Sequence, residues 1–138
     1  MERSVLSKEK ENVNLTHRFH MDIFQMGKLE VINEIVSPNF VMHNPMLSSE
    51  VKYGPEGVRR FAMATIEGIP DRQFIHEDAI ANEDKVLIRW KLKGKIIKEK
   101  FGILPSDKPT IMTGFDLFKL KNGKIVEMWQ QFNFGDWT

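Results

Sequence analysis

The hydrophobic period of this sequence changes once, at Ile69-Pro70-Asp71, and that change limits the chain to few architectures. Before it, apolar residues recur every three or four positions, the period of a helix with one buried stripe; after it they alternate, the period of strands. Leu15, Phe19, Ile23 and Met26 predict a first helix over residues 8–26, stopped by Gly27 in a left-handed conformation. Leu29, Ile32, Ile35 and Val36 form the face of a second, shorter helix ended by Ser37-Pro38, and Asn39 to Asn44 reads as a short extended piece. Gly54-Pro55-Glu56-Gly57 opens a third helix that buries Val58, Phe61, Ala62 and Ile66 and leaves at Gly68. Strands are predicted over Phe74 to Ala81 and Lys85 to Ile97, turning at Asn82-Glu83-Asp84, and then a loop from about 98 to 109. Ile111 to Leu120 and Lys124 to Phe134 make a last hairpin closed by Asn122-Gly123, a dipeptide suited to two successive positive φ angles. Helices first and strands afterwards predict an α+β fold, with helices packed on one face of a curved antiparallel sheet.

Length and composition narrow the partners. The chain has 138 residues, 41% hydrophobic and 28% charged, which suits one domain over 1–138, residues 1–10 being a frayed or extended N-terminus. A net charge of +1 gives no electrostatic reason to expect nucleic acid or an anionic membrane as partner. Cysteine is absent, which removes disulfides, thiolate metal sites and cysteine nucleophiles. No apolar run approaches the roughly 20 residues of a spanning helix. Met1 to Glu11 lacks the apolar stretch of a signal peptide, so a cytoplasmic location is expected.

A two-residue turn at Asn122-Gly123, carried along the hairpin without interruption, sets Asp116 opposite Trp129, Gly114 opposite Gln131 and Met112 opposite Asn133. One face then holds Met112, Gly114, Asp116, Phe118, Glu127, Trp129, Gln131 and Asn133, a few polar groups among large apolar ones, as in a ligand pocket. The other face, with Ile111, Phe115, Leu117, Val126, Met128, Phe132 and Phe134, is almost wholly apolar. Either the helices roof the mixed face and the apolar face pairs with another subunit, or the helices cover the apolar face. A one-residue error in register reverses the assignment. Asp116 is the best candidate acid/base on this face, or else it hydrogen-bonds the Trp129 indole or a helix-end amide and holds the pocket's shape.

Across Asn14 to Asn133 the chain resembles the SnoaL-like polyketide cyclases of the NTF2-like superfamily. The resemblance is carried by Phe40-Val41-Met42-His43-Asn44-Pro45, Gly54-Pro55-Glu56-Gly57-Val58-Arg59-Arg60-Phe61, Ile69-Pro70-Asp71 and Val86-Leu87-Ile88-Arg89-Trp90. It continues through Phe115-Asp116-Leu117-Phe118 and Asn122-Gly123-Lys124-Ile125-Val126-Glu127-Met128-Trp129. It implies a cone-shaped barrel with helices inside a bent sheet, an apolar cavity, and a dimer through the outer sheet face. It also implies ring closure by intramolecular aldol condensation, using no metal or cofactor, with a carboxylate as acid/base. Three positions depart from the family pattern. Asn133 stands where an aspartate follows the last Trp by four residues, Ile96 stands at a histidine position, and Phe118 stands at another.

The resulting expectation is a pocket for a small apolar organic molecule, with cofactor-free proton transfer next to a carbonyl. Asp116 is its acid/base and His43, after the extended segment and before Asn44-Pro45, an assisting donor at the cavity mouth. Gln131 and Asn133 orient the substrate, and Trp90 and Trp129 form walls with Phe118 and Met112. A non-catalytic carrier on the same scaffold is the alternative, because Asn133 and Ile96 are inert. His17 and His20, three apart on the first helix, lack an acidic partner one turn on and give no metal site. Arg89, Lys91, Lys93 and Lys95 read as a solvated strand face, and Asn14-Leu15-Thr16 as a chance glycosylation sequon.

Overall fold

The computed structural model describes residues 5–99 and 103–135. Helix α1 (Val5–Arg18) begins three residues earlier than predicted and passes directly into a π-helical segment, Phe19–Gln25. Residues 1–4 of the expected frayed terminus lie outside the described residues. The wider π turn shifts the phase of the apolar stripe. Phe19, Ile23 and Phe24 are buried, and Met26, expected on the stripe, is exposed. Gly27 (φ 71°) turns the chain out, as its position predicts. A single 3-10 turn, Leu29–Val31, leads into the short helix α2 (Ile32–Ile35), which is shorter than predicted because Val36 already opens strand β1 (Val36–His43).

Helix α3 (Gly54–Gly68) has the predicted limits, and strands β2 (Gln73–Asn82), β3 (Lys85–Gly94), β4 (Thr110–Lys121) and β5 (Lys124–Phe134) complete the fold. The order across the sheet is β1-β5-β4-β3-β2. The helices-then-strands reading holds, and the sheet is open. It is mixed where the sequence suggested a wholly antiparallel one, because β1 runs parallel to β5 at one edge. Pro38 is accommodated there, since an edge strand tolerates a residue that cannot donate to the ladder. Strand β3 stops at Gly94, short of the predicted Ile97. A Cβ at that glycine would stand 2.4 Å from Ile69 Cγ2, so the strand end and the helix exit share one close contact. Among the described residues, no helix is long and apolar enough to cross a membrane.

The hairpin shows why the predicted register fails halfway. Asn122 (φ 52°) and Gly123 (φ 76°) take the two positive angles expected, and Lys121 pairs with Lys124 and Leu120 with Ile125. The next pair is Lys119 with Glu127, so Val126 is an extra residue, a β-bulge. From there the strand is displaced by one. Asp116 faces Gln130 instead of Trp129, Gly114 faces Phe132, and Met112 faces Phe134. Inner positions of β5 are therefore Met128, Gln130 and Phe132, all buried, while Trp129, Gln131 and Asn133 are exposed on the outer face.

The core lies between this inner face and the helices, from Phe19, Ile23 and Phe24 through Val58 and Ala62 to Val86, Ile88, Trp90, Leu92, Phe118 and Met128. A polar clamp ties the π-helical segment to the sheet. Arg72 donates from Nε to Phe24 O (2.6 Å) and from Nη2 to Gln25 O (2.8 Å), satisfying carbonyls at the end of a helix. The Gln25 side chain donates to Arg72 O and accepts from the Phe74 amide. Burial lowers the Arg72 pKa without endangering its charge.

Two stability outcomes follow. Arg72→Ala leaves these carbonyls without their charged donor and is expected to cost about 2 kcal/mol, measured by urea unfolding. Gly114→Ala is expected to cost about 1–3 kcal/mol, because the new Cβ would stand 2.5 Å from Trp90 Cζ2 and 2.7 Å from Gln131 O.

Candidate functional site

Asp116 lies near the middle of β4, fully buried at 0% exposure, and points to the helix side of the sheet. A buried carboxylate is costly unless it is hydrogen-bonded. Here Oδ2 lies 2.6 Å from Nε2 of His20, which is itself 2% exposed. His20 comes from the π-helical segment, where the altered phase sets it on the sheet-facing side. Phe74 stacks on its ring at 4.7 Å, and Phe19 and Phe118 meet it edge-on at 5.6 Å each. The imidazole is thus fixed in orientation by aromatic walls on a helix and two strands.

Two buried polar atoms nearby have no partner among the described residues, Oδ1 of Asp116 and Nε1 of Trp90. Trp90 pairs with Gly114 across β3 and β4, and Gly114 precedes Asp116 by two residues on the same face. The indole rests on that glycine. One acceptor and one donor are therefore left over within one inner-face step of each other, which suits a hydroxyl or enol that donates to the carboxylate and accepts from the indole.

An apolar cavity of about 50 Å³, with room for only a few waters, lies beside Trp90, and His20 is not among its lining residues. Trp90, Phe74, Phe19, Met112, Gln130 and Ile96 are among its lining residues. Asp116 itself is outside the lining, while its cross-strand partner Gln130 is in it. Gln130 Oε1 accepts from Asn44 Nδ2 at 2.9 Å, and both residues are buried, so the amide is held rigidly.

Several expected site residues stand elsewhere. Trp129, Gln131 and Asn133 are on the outer face because of the Val126 bulge, so they neither wall the cavity nor reach Asp116. His43 is outside as well. It pairs with Trp129 across β1 and β5, stacks on that indole at 5.2 Å, and lies 2.6 Å from Oε2 of Glu127. Asn133 is therefore no stand-in for a cavity carboxylate. Phe118 and Met112 are on the inner face, Phe118 against His20 and Met112 on the cavity. Trp90 also lines the cavity.

The groups that the sequence reading passed over are His20, His76 and Gln130. In the sequence, His20 stands out only through its spacing from His17. The usable signal was polarity on an apolar stripe, since Thr16 and His20, one turn apart, are both buried. Among the described residues, no three side chains of the ligating types are grouped to hold a metal ion.

His76 lies on β2 beside this pair, its Nε2 2.7 Å from Nδ1 of His20 and its Nδ1 3.1 Å from Nδ1 of His17. Burial, and then the nearness of His20 and His17, push its pKa down to about 3. Its ordinary value is about 6.5, so between pH 6.5 and 3 the unfolded chain binds a proton that the folded chain refuses. Stability must therefore fall with falling pH across that window. His76→Gln is expected to flatten the acid limb of stability against pH between 6 and 4, read from urea midpoints; an unchanged slope would show that His76 titrates normally in the fold.

Comparison with known proteins matches this architecture. A putative polyketide cyclase from Bacillus cereus superimposes with a TM-score of 0.73 at 28% identity, over 89% of this chain and 74% of that one. A putative SnoaL-like polyketide cyclase from Jannaschia superimposes at 0.74 with 24% identity, over 96% and 91%. IdmH, a putative polyketide cyclase from Streptomyces antibioticus, gives 0.70 at 26% identity, over 88% and 91%. No curated protein matches the chain. The family model described as SnoaL-like polyketide cyclase matches residues 14–136, nearly the whole length, and so the chain belongs to the SnoaL-like polyketide cyclase family.

Proposed function

We propose that the chain is an acid–base enzyme that moves a proton at a carbon next to a carbonyl in a small apolar organic molecule, leading to cyclisation or isomerisation. The observation that carries this reading is the Asp116–His20 pair, a fully buried carboxylate with one oxygen held at 2.6 Å and the other without a partner among the described residues. The held oxygen fixes the carboxylate plane, and the other takes a proton from the carbon acid and returns it to the product. His20 donates from Nε2–H to Oδ2 throughout, stabilising the anion before transfer and holding the carboxyl group in place afterwards. Trp90 Nε1 donates to the developing enolate oxygen, in a setting whose low polarity strengthens that bond. Gln130, fixed by Asn44, orients a second oxygen of the ligand. Membership of the family and the apolar lining both support a flat, largely hydrocarbon ligand. At about 50 Å³ the cavity must widen to take it, through movement of aromatic rings such as Trp90 and Phe132.

A second part of the reading concerns the outer sheet face, where Phe115 and Trp129 are both more than a third exposed. We propose that a second copy of the chain covers it. Phe115→Glu is then expected to convert a dimer to a monomer in light scattering. A wild-type chain that is monomeric at 100-fold dilution steps upward to millimolar concentration (about 1 mM) would contradict the dimer.

The catalytic reading is tested by exchange of solvent deuterium into the methyl group of an aryl methyl ketone, followed by NMR. Asp116→Asn is expected to lower the protein-dependent exchange at least about 100-fold, and His43→Ala to leave it unchanged. Equal exchange in wild type and Asp116→Asn would remove Asp116 from the chemistry. Saturable ketone binding with no protein-dependent exchange would favour a carrier.

A further inference from the structure

We propose that His20, His76 and His17 form a proton relay connecting Asp116 to solvent. The inference deepens the acid–base reading above and rests on it, since it concerns how the carboxylate is recharged.

The geometry is a line with four members. From Asp116 Oδ2 it runs 2.6 Å to His20 Nε2, from His20 Nδ1 2.7 Å to His76 Nε2, and from His76 Nδ1 3.1 Å to His17 Nδ1. Each imidazole in the middle uses both ring nitrogens, one toward each neighbour, as a relay requires and a metal site does not. Exposure rises along the line, from the buried Asp116 and His20 through the half-buried His76 to the exposed His17. His17 and His76 open on a surface groove of about 400 Å³. Four chain segments are needed to build it: α1 supplies His17, the π-helical segment His20, β2 His76 and β4 Asp116. Strand β2 is bulged between His76 and Asp78, next to the relay, where a bulge re-aims a side chain.

Hydrogen-bond polarity gives the line a direction. A carboxylate can only accept, so His20 donates from Nε2–H and accepts at Nδ1; His76 then donates from Nε2–H and accepts at Nδ1 from His17 Nδ1–H. A proton arriving from water at His17 Nε2 releases the Nδ1 proton to His76 Nδ1. His76 passes its Nε2 proton to His20 Nδ1, and His20 passes its Nε2 proton to Asp116 Oδ2. One proton enters and one is delivered, only N–H and O–H bonds change, and each imidazole ends neutral in its other tautomer. Run backwards from those second tautomers, the sequence returns a proton from Asp116 Oδ2 through His20, His76 and His17 to water and restores the first tautomers. A relay of this kind never needs a buried imidazolium, and His76 is held neutral well below its ordinary range. The charged groups around its outer end are Lys10 on α1 and Glu77 and Asp78 on β2, with Lys91 paired to Glu77 and Arg89 to Asp78 from β3.

The test uses the ligand-free protein with ¹⁵N-labelled histidine rings. In wild type at pH 7, His20 and His76 are expected as Nε2–H tautomers, with a scalar coupling across the His76 Nε2–H to His20 Nδ1 bond. A His20 ring protonated at Nδ1 would overturn the proposal without any variant. In His76→Gln, solvent exchange of the His20 Nε2–H is expected to slow at least about tenfold, because an amide does not pass protons on at neutral pH. A merely structural loss would loosen the pocket and speed that exchange, so equal or faster exchange also overturns the relay. Asp116→Asn in the ketone assay reports separately on the acid–base reading. Loss of ketone exchange there, with unslowed His20 exchange in His76→Gln, would retain the enzyme and discard the relay.

Discussion

A single layer of helices covers one face of an open five-stranded sheet, and a polar group on that covered face has only that layer and its strand neighbours to pair with. Asp116 is the most demanding of these groups, because a carboxylate loses the most on leaving water. Its partner has to come from the helix above, and the π-helical segment at Phe19–Gln25 delivers His20 to it. The Arg72 clamp then fixes the end of that segment to β2, which also carries His76. Fold and site are thus one arrangement. What closes the roof over the sheet also aligns the imidazoles, and loosening either affects both.

The aromatic packing serves the same end. Phe74, Phe19 and Phe118 hold the His20 ring on three sides, and Trp90 lies against Gly114 where any side chain would displace it. Such walls exclude water, which makes the few hydrogen bonds within them stronger and any unmatched polar atom more costly. Oδ1 of Asp116 and Nε1 of Trp90 are unmatched among the described residues, and a ligand that satisfies both gains more than the contact alone would give. On the outer face, His43, Glu127 and Trp129 form a partly exposed cluster on β1 and β5.

Local signals in the sequence read true where the structure is set locally. The turn at Asn122-Gly123, the limits of α3, the glycine after the first helix and the buried alternation of Val86, Ile88, Trp90 and Leu92 all follow from backbone preferences over a few residues. Asp116 could be placed on the inner face because β4 keeps strict alternation. The π turn and the Val126 bulge could not be read, since each adds one residue to a regular pattern without a distinctive residue type to mark it. Their consequences were large: the first exposed Met26, and the second sent Trp129, Gln131 and Asn133 outward. The histidine line was hidden for another reason. His20 is separated from His76 by 56 positions and from Asp116 by 96, and only the sheet order brings them together.

The Val126 bulge has a consequence for how such a chain can change. Strand β5 carries two interleaved sets of residues, Met128, Gln130 and Phe132 facing the helices and Trp129, Gln131 and Asn133 facing out. Near the turn, one supernumerary residue decides which set is which, while the turn itself and the pairing of Lys121 with Lys124 stay as they are. Losing it would exchange the two sets at a stroke, turning a rim of exposed aromatic and amide groups into a binding wall and the old wall into surface. In this fold a reading-frame-like shift of one codon, remote from the carboxylate, is enough to recast what the interior recognises.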